Sequence, residues 1–165
     1  MKIRDMAYIS LSAAVIAVCA WITVPFTVPF TMQTFAVFLA VLLFGSARGM
    51  LSILLYIALG AVGLPVFSSF GGGIGVLIGP TGGYIIGFLA AGLAGISQKK
   101  RFAVPLAVLA MAICYLAGTL WYVHCTGVGF AAAFSGCVLP FILPDTVKIT
   151  LAFLLAGRLK RLVKA

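Results

Sequence analysis

The sequence predicts an all-α membrane protein of six transmembrane helices, with both termini cytoplasmic and an apolar, glycine-rich loop on the outer side. Three observations carry this expectation. Of 165 residues, 64% are hydrophobic and 8% charged, which excludes a soluble globular domain. The apolar runs are long and continuous, whereas a transmembrane barrel would alternate over segments of about ten residues. Ten of the eleven basic residues fall into four short clusters between apolar stretches: Lys2 and Arg4; Arg48; Lys99, Lys100 and Arg101; and Arg158, Lys160, Arg161 and Lys164.

Lys and Arg near the ends of apolar segments mark cytoplasmic loops. If all four clusters share one side, each interval between them crosses the membrane an even number of times. The intervals 5–47, 49–98 and 102–157 hold 43, 50 and 56 residues, and each fits two spans of about 20 residues. Residues 1–165 then form one transmembrane substrate-binding domain. Because the net charge of +9 sits at segment ends, it points to a lipid bilayer as partner and not to nucleic acid.

Helix 1 is expected from Met6 to about Val24. No small-residue cleavage site with a polar mature start follows it, so it reads as a span and not as a signal peptide. Ala13 and Ala17, four apart, make a small-residue face for close helix approach, with packing inside the same bundle as the simpler reading. The segment Pro25 to Thr34 is an outer turn kinked by two prolines, and Gln33 brings an amide to the top of helix 2. Helix 2 ends at Gly45-Ser46-Ala47-Arg48-Gly49, and helix 3 runs to about Ala61.

The outer segment from Gly63 to Tyr84 is apolar yet too rich in glycine for stable helix, each Gly costing about 1 kcal/mol relative to Ala. Irregular backbone at membrane depth survives only where it is buried in protein or lines a cavity. The segment is therefore expected to offer backbone groups to a ligand, Gly82, Gly83 and Gly87 serving tight helix crossings as the alternative. Helix 4 is expected over Gly82–Ile96 and helix 5 over Phe102–Val123, with Tyr84, Trp121 and Tyr122 in the interfacial belt. A short re-entrant helix fits Gly129 to Leu139, and helix 6 is expected to begin at Pro144, a residue suited to a first helical turn.

Asp145 is one of two acidic residues in the chain, and Lys148 is the basic residue outside the four clusters. Spaced i and i+3, they share a helical face. Ionisable groups inside a membrane segment cost roughly 2.5 to 3.5 kcal/mol on insertion scales and usually face a wet cavity or a bundle interior. The pair is thus a candidate ligand site, or else an ion pair that only joins helices. No phosphate-binding G-x-x-x-x-G-K-[ST] loop occurs, His124 stands alone, and no paired carboxylates or metal-ligand spacings appear, so neither an enzyme nor a metal or cofactor is expected. Cys19, Cys114, Cys125 and Cys137 read as small apolar fillers, with pairing of Cys125 and Cys137 left open.

The stretches Gly63-Leu64-Pro65-Val66-Phe67, Gly71-Gly72-Gly73, Gly79-Pro80-Thr81-Gly82-Gly83-Tyr84, Val28 to Thr34 and Leu139 to Lys148 together resemble the BioY family. That family comprises the biotin-specific S components of energy-coupling factor (ECF) transporters. The resemblance covers nearly the whole chain. It implies a six-helix protein of a bacterial or archaeal cytoplasmic membrane that binds biotin on its outer side. It further implies association with a transmembrane coupling subunit and two ABC-type ATPases, with Ala13 and Ala17 facing the coupling subunit. Biotin's ureido ring, apolar thioether ring and carboxylate tail suit a site made of Asp145, Lys148, Tyr84, Gln33, Gly72, Gly73, Thr81 and Gly82. A self-sufficient secondary transporter of a small solute, or a structural membrane protein using Asp145 and Lys148 as glue, would share many of these features.

Overall fold

Helix α1, Ile3–Trp21, buries Ile9, Ser12, Ala13, Ile16, Ala17 and Ala20, a 3-4 spacing that places all six on one face. Its other face exposes Met6, Leu11, Val15 and Val18, so the helix is apolar all round, as suits a bundle that meets lipid. In the computed structural model, which describes residues 2–26, 28–97 and 99–163, α1 packs against α2 (Gln33–Phe44) and α3 (Ser46–Ala61). Between α1 and α2 the expected outer turn forms a small antiparallel hairpin that pairs Thr23 with Thr31 and Val24 with Phe30.

After α3 the chain makes one 3-10 turn, Ser68–Phe70, and a short helix α4, Ile74–Ile78. It then enters α5, Gly82–Gly87, which tightens into 3-10 helix over Phe88–Gly95. The remaining helices are α6 (Lys100–Thr126), α7 (Phe130–Cys137) and α8 (Leu139–Val163). Helix α8 packs on α2, while α6 packs on α5 and its 3-10 extension. Between α6 and α8 the helices stand apart around an apolar cavity of about 610 Å³, which Phe130 and Phe134 of α7 also line.

The close approaches explain the small residues. A Cβ on Gly87 would stand 3.1 Å from Cys114 Cα, and one on Gly83 would strike the Trp121 side chain. The crossing role considered for Gly83 and Gly87 is thus what packs α5 against α6. One end of the bundle gathers Asp5 and Arg48, whose ion pair at 3.0 Å ties the start of α1 to the start of α3. At the other end Trp21 Nε1 donates to the Pro65 carbonyl at 2.8 Å and its ring stacks on Phe70. That contact anchors a loop in which Ser69 and Phe70 take φ of 55° and 58°, a left-handed conformation uncommon outside glycine.

Among the described residues, α1, α6 and α8 are each long and apolar enough to cross a membrane by themselves, and the apolar segments Gln33–Phe44, Ser46–Ala61 and Gly82–Gly95 are shorter. At 1.5 Å per residue, α2 spans about 18 Å against a hydrocarbon core of about 30 Å. The chain has put those residues into the hairpin and the glycine-rich loop. Two expectations need correction. Pro144 does not start a helix: it is the sixth residue of α8, where its missing N–H leaves the Pro140 carbonyl without an intrahelical partner. Ala13 and Ala17 are 2% and 7% exposed, buried in the chain's own core, so they do not form a free docking face.

Candidate functional site

Along α8 the buried positions are Phe141, Asp145, Lys148, Ala152 and Ala156, one stripe at i, i+4, i+7, i+11 and i+15 that faces the bundle. The charged pair therefore points inward because it shares the face that α8 packs. Asp145 is 5% and Lys148 4% exposed, and Lys148 Nζ lies 2.8 Å from Asp145 Oδ1. Desolvating two such ions is expensive unless further contacts serve them. They are served. Tyr115 Oη of α6 donates to Asp145 Oδ2 at 2.7 Å, and the Lys148 ammonium sits 3.7 Å from the centre of the Phe30 ring, a cation–π contact. The Phe30 ring in turn stacks on Phe141.

A second polar tier lies beside the pair. Gln33 is the first residue of α2, and its Nε2 donates to Tyr56 Oη of α3 at 2.9 Å. The amide oxygen keeps its acceptor capacity. Tyr84 Oη and Thr119 Oγ1 are hydrogen-bonded at 3.1 Å, joining α5 to α6. Tyr84 reaches there because Gly118 leaves room for its ring.

These groups meet at a cavity of about 60 Å³ lined by Gln33, Thr81, Tyr84, Asp145 and Lys148, with Thr31, Thr34 and Ser68 as further polar neighbours. Apolar wall comes from Ile85, Phe88, Met111 and Phe141. An apolar lining with a few placed polar groups is the usual plan of a small-molecule site. The larger cavity between α6 and α8 is mainly aliphatic and aromatic, with Thr119, Thr146 and Thr150 also on its wall, and it meets the smaller one at Met111, Tyr115 and Asp145. The polar groups mark the smaller cavity as the candidate site.

Of the residues expected from sequence, Asp145, Lys148, Tyr84, Gln33 and Thr81 are brought together. Gly72, Gly73 and Gly82 do not line the cavity. Gly73 N–H donates to the Gly60 carbonyl at 2.7 Å, and a Cβ on Gly72 would stand 2.5 Å from the Leu64 carbonyl oxygen. These two glycines fold the loop against the end of α3, while Gly82 lets the Leu77 backbone approach. From that outer segment it is Ser68, Thr81 and Tyr84 that line the cavity. All four cysteines are free, with Cys137 buried and Cys125 exposed, so no pairing joins those two.

Tyr115, Phe30, Tyr56 and Thr119 are the additions. Tyr115 had a signal: tyrosine prefers the interfacial belt, and this one sits in the middle of a 27-residue apolar helix.

The chain is similar to known proteins along its length. Its residues 1–165 match the model of the BioY family. It is 44% identical over 163 residues to a probable biotin transporter BioY of Pyrococcus horikoshii, covering 97% of this chain and 98% of that protein. It is 42% identical to the biotin transporter BioY of Thermotoga maritima, covering 96% and 97%. The crystal structure of the S-component for biotin from an ECF-type ABC transporter superposes with a TM-score of 0.87 at 24% identity, covering 96% of this chain and 92% of that one. At that identity the superposition speaks for the fold. Full-length agreement with the family model, together with two relatives above 40% identity, places this chain in the BioY family.

Proposed function

We propose that this protein takes up biotin as the substrate-binding subunit of an ECF-type transporter, and that it is not an enzyme. The observation that carries the reading is the buried Asp145–Lys148 pair on the wall of a polar cavity, within a chain of this family. A cyclic urea presents an N–H and a C=O side by side. An adjacent carboxylate and ammonium match that edge, Asp145 accepting the N–H and Lys148 donating to the carbonyl. Gln33, Tyr84 and Thr81 supply the remaining polar contacts. A cavity of about 60 Å³ is smaller than the roughly 300 Å³ at the lower end of ligand pockets. Binding therefore widens it, with Met111 at the boundary to the larger apolar cavity.

The proposed topology is six membrane-crossing segments in a cytoplasmic membrane, with both termini cytoplasmic. The Asp5–Arg48 end, which also brings Gly95 against Ser46, is the inner side. The partners are a transmembrane coupling subunit and two ABC-type ATPases. The docking face on α1 is the one that the chain leaves open, where Ala7, Ser10 and Ala14 are exposed and a partner helix can approach closely. The test is uptake of radiolabelled biotin by cells that lack their own biotin importer. Accumulation should require the coupling subunit and ATPases; accumulation driven by an ion gradient alone would make the chain a secondary transporter instead.

A further inference from the structure

We infer that Tyr115 is a positioning residue for ligand recognition, holding the Asp145 carboxylate in the orientation that a cyclic urea requires. The inference rests on the biotin reading above. Lys148 engages only Oδ1 of Asp145, from the same helix, and a carboxylate tied at one oxygen can still swing about its side-chain bonds. The Tyr115 hydroxyl engages Oδ2 at 2.7 Å from a different helix. With both oxygens tethered by donors on different helices, the plane of the carboxylate is set. A carboxylate offers about four lone-pair sites, so each oxygen keeps acceptor capacity for the ligand.

The location of this bond gives it a second consequence. Helices α6 and α8 stand apart, and Tyr115 and Asp145 line both the polar cavity and the 610 Å³ apolar one. The hydrogen bond is a polar strut across the gap between these helices. Without it, Asp145 is free to turn away from the ligand's N–H, and hydrogen bonds weaken steeply once their angle falls below about 120°. Thr119, one turn along α6, makes the parallel bond to Tyr84, so the same helix face orients two cavity-lining groups.

Tyr115→Phe removes the hydroxyl and keeps the ring. Biotin affinity is measured by equilibrium dialysis, at up to millimolar biotin so that weak binders stay in range, for full-length wild type, Tyr115→Phe, Asp145→Asn and the double variant. Apo melting temperatures are recorded alongside. Tyr115→Phe should weaken binding on the order of tenfold. In the Asp145→Asn background the same change should add less than about twofold, because the carboxylate that Tyr115 positions is gone. Unchanged affinity in Tyr115→Phe overturns the inference and leaves the biotin reading standing. So does a full, additive loss in the Asp145→Asn background, which would make Tyr115 a direct ligand contact. Wild type that fails to bind biotin removes both.

Discussion

Lys148 donates to Asp145 across one turn of α8 at 2.8 Å, with both side chains almost wholly buried. Removing one partner of a buried ion pair strands the other charge and typically costs 3 to 5 kcal/mol, so a single substitution changes folding as well as binding and is read beside its melting temperature. Removing both charges separates the two. Asp145→Asn with Lys148→Met should leave the melting temperature of the ligand-free protein within a few degrees of wild type. Biotin affinity should fall on the order of a hundredfold, since two charge-assisted ligand contacts are lost at about 1.5 to 3 kcal/mol each. Calorimetric titration beside a thermal melt reads both, and normal binding by the double variant would make the pair structural glue.

The Gln33–Tyr56 hydrogen bond is buried and joins α2 to α3. Tyr56→Phe should destabilise the protein by about 1 to 3 kcal/mol, because it leaves the Gln33 amide without its partner. Gln33→Leu combined with Tyr56→Phe should recover part of that loss, since replacing both polar groups removes the orphan. Melting curves of the two variants decide the order.

On α1, Ala13 and Ala14 should behave oppositely despite being neighbours. Ala13→Trp forces a large ring into the core, where overpacking costs typically 1 to 3 kcal/mol or more, and it should lower the melting temperature. Ala14→Trp points away from the core. It should keep folding and biotin binding while abolishing co-purification with the coupling subunit. Retained co-purification would move the docking face elsewhere on the chain.

At the α5–α6 crossing, Gly87→Val should destabilise by about 1 to 3 kcal/mol, because its side chain would press on Cys114. Gly136→Ala is the control, since a Cβ there meets nothing within 4 Å. Its melting temperature should stay the same or rise slightly.

Much of this was legible in the sequence because lipid makes patterns strict. Ionisable residues are rare in apolar segments, so Asp145 and Lys148 stood out, and their i, i+3 spacing put them on one face. Gln33 was visible for a similar reason. What the residues could not give was depth and partnership. The glycine-rich loop was read as a ligand cradle, yet Gly72 and Gly73 fold back on α3, because an unsatisfied backbone group is met as well by a nearby carbonyl as by a ligand. Spacing identified Ala13 and Ala17 as a small-residue face but not its neighbour, and here the neighbour is the chain's own bundle. Tyr115 escaped because a tyrosine's role depends on what its hydroxyl reaches, and Asp145 lies 30 residues away on another helix.

The central claim is that the cavity beside Asp145 and Lys148 binds biotin. Isothermal titration of the purified, detergent-solubilised chain with biotin, with thiamine and riboflavin as comparison ligands, tests it most directly. Saturable binding of one biotin per chain is expected, with no heat from the other two vitamins and with biotin raising the melting temperature by mass action. Binding of thiamine or riboflavin with no response to biotin would contradict it.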